Sequence, residues 1–163
     1  MAPPRVAVVQ DAANPTPSMS LLLRHERLAP VVAAHFPWAH WEAFVAESGV
    51  TFDRPRGSRH PRFPDIVYPL DYGYVNGTDD GQGEAVDVFV GSAPNLGLVG
   101  MVLTRDHRRG DREVKLLLGT APAEVYLAVG FLNFDRTLLD GTLALRYRMS
   151  ELWEASSSLS LRG

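Results

Sequence analysis

Tyr68–Val90, YPLDYGYVNGTDDGQGEAVDVFV, is where the reading of this chain turns. Ile66–Tyr68 and Tyr72–Val75 are predicted strands around a turn at Pro69–Asp71. Val86–Val90 is a third, β-rich and apolar apart from one carboxylate, Asp87. Side chains alternate along a strand. Asp87 therefore either faces solvent or points inward and needs a partner. Between these strands lies a glycine-rich loop with Asp79, Asp80, Gln82 and Glu84, close in sequence to Tyr68, Tyr72 and Tyr74. Asp71, Asp79 and Asp80 are equally well read as solvated loop acids.

Working outward, Val50–Phe52, Val99–Thr104, Glu113–Leu118 and Leu143–Tyr147 are further short strand candidates. Pro122–Leu132 is a predicted helix with Val125, Val129 and Leu132 on one face and Pro122 in its first turn. Upstream, Leu21–His35 is helix-compatible around Pro30. Pro37–Ser48 carries an apolar stripe of Trp38, Trp41, Phe44 and Val45, closed by Gly49. Short, regularly spaced strands predict an α+β, mainly β fold: a small closed or highly curved antiparallel barrel, OB-like, with N-terminal helices and one helix after the barrel. The expected organisation is a flexible extension over 1–18, helices over 19–49, the barrel over 50–150 and a tail over 151–163 that frays at Ser156–Ser158.

The chain has 163 residues, 16 basic and 19 acidic, for a net charge of −3. That balance gives no global attraction to nucleic acid or to an anionic membrane. There is no cysteine, so disulfides, thiolate metal sites and cysteine nucleophiles are excluded. No segment approaches the run of roughly 20 apolar residues that spans a bilayer. The expectation is a cytoplasmic protein acting on a small phosphate compound, with no nucleic-acid or membrane partner and with room for a homo-oligomer.

A second segment, Asp106–Lys115 (DHRRGDREVK), mixes three acids with four lysine or arginine cations. Its arginines and His107, like His60, read as surface charges. Phosphate handling needs such mixtures. Hard divalent cations take oxygen ligands, lysine and arginine neutralise phosphate oxygens, and an activated water attacks.

Tyr68-Pro69-Leu70-Asp71-Tyr72-Gly73, Val86-Asp87-Val88 and the Asp106 to Lys115 block, in this order, resemble the signature of the family I inorganic pyrophosphatases. The match covers roughly 50–119. The resemblance implies Mg²⁺-dependent hydrolysis of diphosphate to two phosphates, with Mn²⁺ as the alternative metal. It implies Asp87 as the ligand of the most tightly held metal. Asp106 and Glu113 would bind metals arriving with substrate, with Asp111 competing for the Glu113 role. Lys115 and Tyr72 would hold phosphate, Tyr68 would support the same wall, and Glu84 would be the base. Arg54 is the expected phosphate ligand upstream, with Arg56, Arg59 and Arg62 making up for a lysine the family has and this chain lacks.

Gln82 stands where the family has a metal-binding aspartate, and as a metal ligand its amide oxygen can bind Mg²⁺ but adds no charge. Glu84 replaces an aspartate and Ala85 a proline. The family's closing tyrosine-lysine pair is absent; Arg146-Tyr147-Arg148 is the nearest sequence. These departures keep two alternatives in view: a relative that binds a phosphorylated ligand without fast turnover, and a hydrolase of another diphosphate compound.

Overall fold

The structure, a computed structural model, describes residues 29–160. The expected extension over 1–18 and the first part of the Leu21–His35 helix lie outside the described residues. Helices α1 (Ala29–His35) and α2 (Trp38–Ser48) come first. Six strands follow: β1 (Val50–Arg54), β2 (Asp71–Val75), β3 (Asp87–Val90), β4 (Leu98–Asp106), β5 (Arg112–Leu118) and β6 (Leu139–Leu145). Helix α3 (Pro122–Leu132) precedes β6, and α4 (Met149–Ser160) follows it.

The strands form one mixed sheet in the order β1-β2-β3-β5-β4-β6. The α+β class agrees with the sequence expectation; two details differ. β3 and β5 pair in parallel, with Asp87 opposite Lys115, where an all-antiparallel arrangement was expected. Among the described residues no β1–β6 ladder closes the sheet. Ile66–Tyr68 contributes only an isolated bridge, Arg59 to Val67, because its neighbour is the punctuated arginine loop and not a strand. α4 runs through the serines where a frayed tail was expected.

Alternation along the strands produces two cores, one on each face. Val88, Met101 and Leu116 point to the side covered by α1 and α2, where Trp41 is fully buried. Phe89, Val102 and Leu117 point to the side covered by α3 and α4, with Val125, Leu132 and Leu152. β4 keeps this pattern through a register shift between Leu98 and Gly100. A Cβ at Gly100 would stand 2.8 Å from the Ala144 carbonyl oxygen, so the bend needs glycine there.

The α3 face carries Asp87, Glu113 and Lys115 of the sheet. Two residues back from Leu117 on β5 is Lys115, and two further back is Glu113. Asp87 lies two before Phe89. The same alternation that fills this core carries charge to its end.

Candidate functional site

Lys115 is the only lysine in the chain, and it is 6% exposed. Its ammonium donates to the Tyr72 hydroxyl at 3.0 Å and is ion-paired with both Asp87 Oδ2 and Glu113 Oε2. The Tyr72 hydroxyl in turn donates to Asp87 Oδ2 at 2.6 Å. Three strands thus deliver four side chains to one point: Tyr72 from β2, Asp87 from β3, Glu113 and Lys115 from β5. The parallel register of β3 and β5 puts Asp87 beside Lys115. The two-residue spacing on β5 puts Glu113 on the same face.

This cluster fixes its own protonation. Burial works against the Lys115 ammonium, but Tyr72, Asp87 and Glu113 outweigh it and hold its pKa well above the ordinary lysine value. Burial, reinforced by Asp87 and opposed by Lys115, pushes the Tyr72 phenol far up. Tyr72 is therefore a hydrogen-bond donor at any working pH.

Beside the cluster is a cavity of 230 Å³. Its charged wall holds Asp106, Arg108, Arg109, Asp111, Glu113 and Lys115. The β4–β5 hairpin loop supplies three of these, Arg108, Arg109 and Asp111, and Asp106 ends β4. Asp106 Oδ1 accepts from the backbone N–H groups of Arg108 and Arg109 at 2.9 and 3.0 Å. Partial burial raises the Asp106 pKa, but those N–H groups and the two guanidinium charges outweigh it, leaving it below the usual carboxylate range. Asp111 pairs with Arg109 Nε at 2.9 Å. The rest of the lining is mostly apolar, with Phe63, Ile66, Tyr68, Phe131 and Phe134, and it also holds His60 and Asp135.

Of the residues expected from the sequence, Tyr68, Tyr72, Asp106, Asp111, Glu113 and Lys115 line this cavity, and Asp87 joins it through Lys115 and Tyr72. Arg54, Arg56, Arg62, Gln82 and Glu84 do not line it. Arg54 Nη1 donates to the Asp53 carbonyl at 3.0 Å, and its side chain also hydrogen-bonds Tyr68. Arg56 uses its backbone N–H on Asp71, at 2.8 Å. Arg62 is exposed, with its backbone N–H on His60 Nδ1 at 3.1 Å. Gln82 Nε2 donates to the Arg112 carbonyl at 2.7 Å. Glu84 is exposed. Asp79 and Asp80 accept backbone N–H groups of their own loop, Gly81 at 2.7 Å and Gln82 at 2.8 Å. Arg146 serves α2 by pairing with Glu42 Oε2 at 2.7 Å.

Sequence reasoning missed Arg108, Arg109 and His60, which read as surface charges, and Phe63, Phe131 and Phe134. A signal for the arginines existed. They sit in the hairpin between the two strand ends that carry Asp106 and Glu113, so whatever Glu113 faces, the loop overhangs.

The donor chemistry suits a hard divalent cation, since the acids offer only oxygen. Asp87 and Glu113 already bring one oxygen each to a single cation, the Lys115 ammonium. Among the described residues, however, no group of three or more His, Asp or Glu side chains is placed to hold a metal together. Asp106 and Asp111 are turned to their own loop, and Gln82 to Arg112.

No protein-family model and no curated protein matches this sequence. Solved structures of similar backbone include the inorganic pyrophosphatase of Coxiella burnetii, at 14% identity and a TM-score of 0.42, over 65% of this chain and 90% of that one. The Thermus thermophilus inorganic pyrophosphatase aligns at 20% identity and a TM-score of 0.40, over 65% and 86%. The Helicobacter pylori enzyme aligns at 16% and 0.38, over 65% and 88%. Identities this low carry no reaction from one chain to another.

Proposed function

We propose that this chain is a phosphoric anhydride hydrolase that splits diphosphate in the Lys115 cavity, with Mg²⁺ as its cofactor and Mn²⁺ as the alternative. The observation that supports this is the convergence of Asp87, Glu113 and Tyr72 on the one buried ammonium. The formal charges of Asp87, Glu113 and Lys115 sum to about −1. A polyanion is therefore repelled unless further positive charge enters. Asp87 and Glu113 would hold the cation, with Asp106 and Asp111 the next carboxylates along the wall. Bound there, Mg²⁺ would neutralise phosphate oxygens and acidify water.

The chain's own residues do the rest. Lys115 and the Tyr72 hydroxyl donate to phosphate oxygens, and Arg108 and Arg109 offer charge from the hairpin. The oxygen of water bonds to one phosphorus as the bridging P–O bond breaks. Its electron pair stays on the leaving phosphate, and a proton passes to solvent by way of the cavity's carboxylates.

The test is phosphate release from inorganic diphosphate, with and without Mg²⁺. Release should need the cation, and Lys115→Gln, confirmed folded by circular dichroism, should lose about a hundredfold or more in kcat, as for removal of one preorganised donor. No release by the wild type from diphosphate or its esters, with either metal, ends the hydrolase reading.

One observation favours the second reading, a binder without fast turnover. Gln82 is engaged with Arg112, and Glu84, the expected base, is exposed outside the cavity. Calorimetry showing diphosphate bound with no phosphate released selects it.

A further inference from the structure

The cavity lining mixes charged with aromatic side chains, and inorganic diphosphate can use only the charged ones. Diphosphate has no apolar surface. Against Phe63, Tyr68, Phe131 and Phe134 it gains nothing, and those rings gain nothing from it. Phe134 is 85% exposed. With Leu138 and the half-buried Phe63 and Phe131 it gives the cavity a rim of apolar surface within reach of solvent.

Tyr68 lies buried beneath this lining, and Phe63, Phe131 and Phe134 are the rings that keep exposed surface. Tyr68 packs on Phe131 with centroids 4.9 Å apart and on Tyr72 at 5.3 Å. His60 stacks on Tyr68, nearly parallel at 6° and 6.3 Å. Burial, followed by the charges of Arg54, Arg108 and Arg62, lowers the His60 pKa, so at neutral pH its ring adds no charge to this wall. Arg108 joins the charged side chains to the aromatic ones. Its guanidinium lies 5.2 Å from the centre of the Phe63 ring and is also 3.8 Å from Asp106. A cation stacked on a ring beside a phosphate wall is suited to a ligand that is flat at one end and anionic at the other.

Size points the same way. The cavity's 230 Å³ lies just below the roughly 300–1,000 Å³ of small-molecule sites, and Phe134 extends it toward solvent. The enclosed space suits the phosphates, and the open end beside the exposed Phe134 leaves room for a ring to lie at the rim.

We infer that the cavity takes a diphosphate ester bearing a flat organic ring, the ring on the Phe63–Phe131–Phe134 rim and the phosphates beside Lys115. This rests on the phosphate reading above and narrows its substrate to an organic class. For a nucleoside diphosphate, water attacks the terminal phosphorus and the bond to the bridging oxygen breaks. The electron pair stays on the nucleoside monophosphate, phosphate is released, and one proton goes to solvent.

The experiment compares phosphate release by the full chain from adenosine diphosphate, geranyl diphosphate and inorganic diphosphate, in Mg²⁺, for the wild type, Phe134→Ser and Phe63→Ala. Adenosine diphosphate should have the lowest KM. Phe134→Ser should lower the ratio of kcat/KM for adenosine diphosphate to that for inorganic diphosphate about tenfold, the usual effect of losing one stacking partner. Phe134 is so exposed that this variant keeps the fold if Phe63→Ala does not. Inorganic diphosphate cleaved with adenosine diphosphate refused, or a ratio unmoved in Phe134→Ser, overturns this inference and leaves the phosphate site standing. Geranyl diphosphate preferred over adenosine diphosphate overturns the flat ring. No compound bound or cleaved removes this inference and the hydrolase reading together.

Discussion

Lys115 keeps its charge in surroundings that would ordinarily strip it. Burial lowers a lysine pKa, yet the acids around this one reverse the sign. The folded pKa lies above the ordinary 10.5, so the linked stabilisation is fully present below that value. It is lost as pH rises through the folded pKa. Alkaline titration followed by fluorescence should therefore show stability falling only above about pH 10, where Tyr72, also raised, acts with the same sign, and Lys115→Met should make that limb shallower. Removing one partner of a buried ion pair costs about 3–5 kcal/mol. Asp87 and Glu113 keep 27% and 31% of their side-chain surface, so the expected loss in Lys115→Met is nearer 2 kcal/mol, read by urea unfolding at pH 8. Asp106 has the opposite sign. Its depressed pKa contributes stability above about 3.8 that is lost as pH falls through the folded value. The chemistry of Asp87, Glu113 and Lys115 was legible in the sequence because strand periodicity and their residue types agree. The apolar wall was not, because Phe63, Phe131 and Phe134 come from a loop, a helix and a helix end that only the tertiary fold brings together.

Local chemistry explains which elements the sequence announces. Helix α3 is found with the bounds expected, because Pro122 suits its first turn and Glu124 reaches back over its start. Glu124 Oε1 accepts from the Ala121 N–H at 2.9 Å, and from the Ser92 N–H and hydroxyl at 3.0 Å each. It caps the helix and ties it to the loop after β3 in one contact. Glu124→Ala should cost about 1–2 kcal/mol, at the upper end for a cap because of the second tie, measured by denaturant midpoint. β6 is the contrary case. The strand was expected over Leu143–Tyr147, yet it runs from Leu139 to Leu145. Asn133, at the end of α3, holds Gly141 in place, donating to its carbonyl at 3.1 Å and accepting from its N–H at 3.0 Å. A Cβ at 141 would stand 2.6 Å from Val102 Cγ1. A glycine required by close packing looks, in sequence, like one required by a turn. The parallel partnership of β3 and β5 was unreadable for a similar reason: strand pattern gives faces, not neighbours.

At the scale of the molecule, the two faces of the sheet are held by different means. The α3–α4 face packs and opens into the cavity; the α1–α2 face is pinned by a charged clamp. Glu42 on α2 accepts from the Leu98 N–H at 2.8 Å and from Arg146 Nη1 at 2.7 Å, while Arg146 also donates to the Leu98 carbonyl at 3.2 Å. One carboxylate thus joins a helix, the start of β4 and the chain after β6. Arg146→Ala should cost about 1–2 kcal/mol, in the range of charge-assisted hydrogen bonds at a partly exposed pair, and lower the melting temperature by a few degrees. Because this clamp lies away from the cavity, its loss should leave the KM for diphosphate in place, which a kinetic assay on the folded variant checks.

A chain with one ε-amine, held inside its own sheet, also carries its own reporter. A small acylating reagent reaches that nitrogen through the cavity it lines, so the rate at which the peptide bearing residue 115 gains mass is a clock for access to that site. A ligand seated on the ammonium slows that clock, and one that binds elsewhere leaves it running.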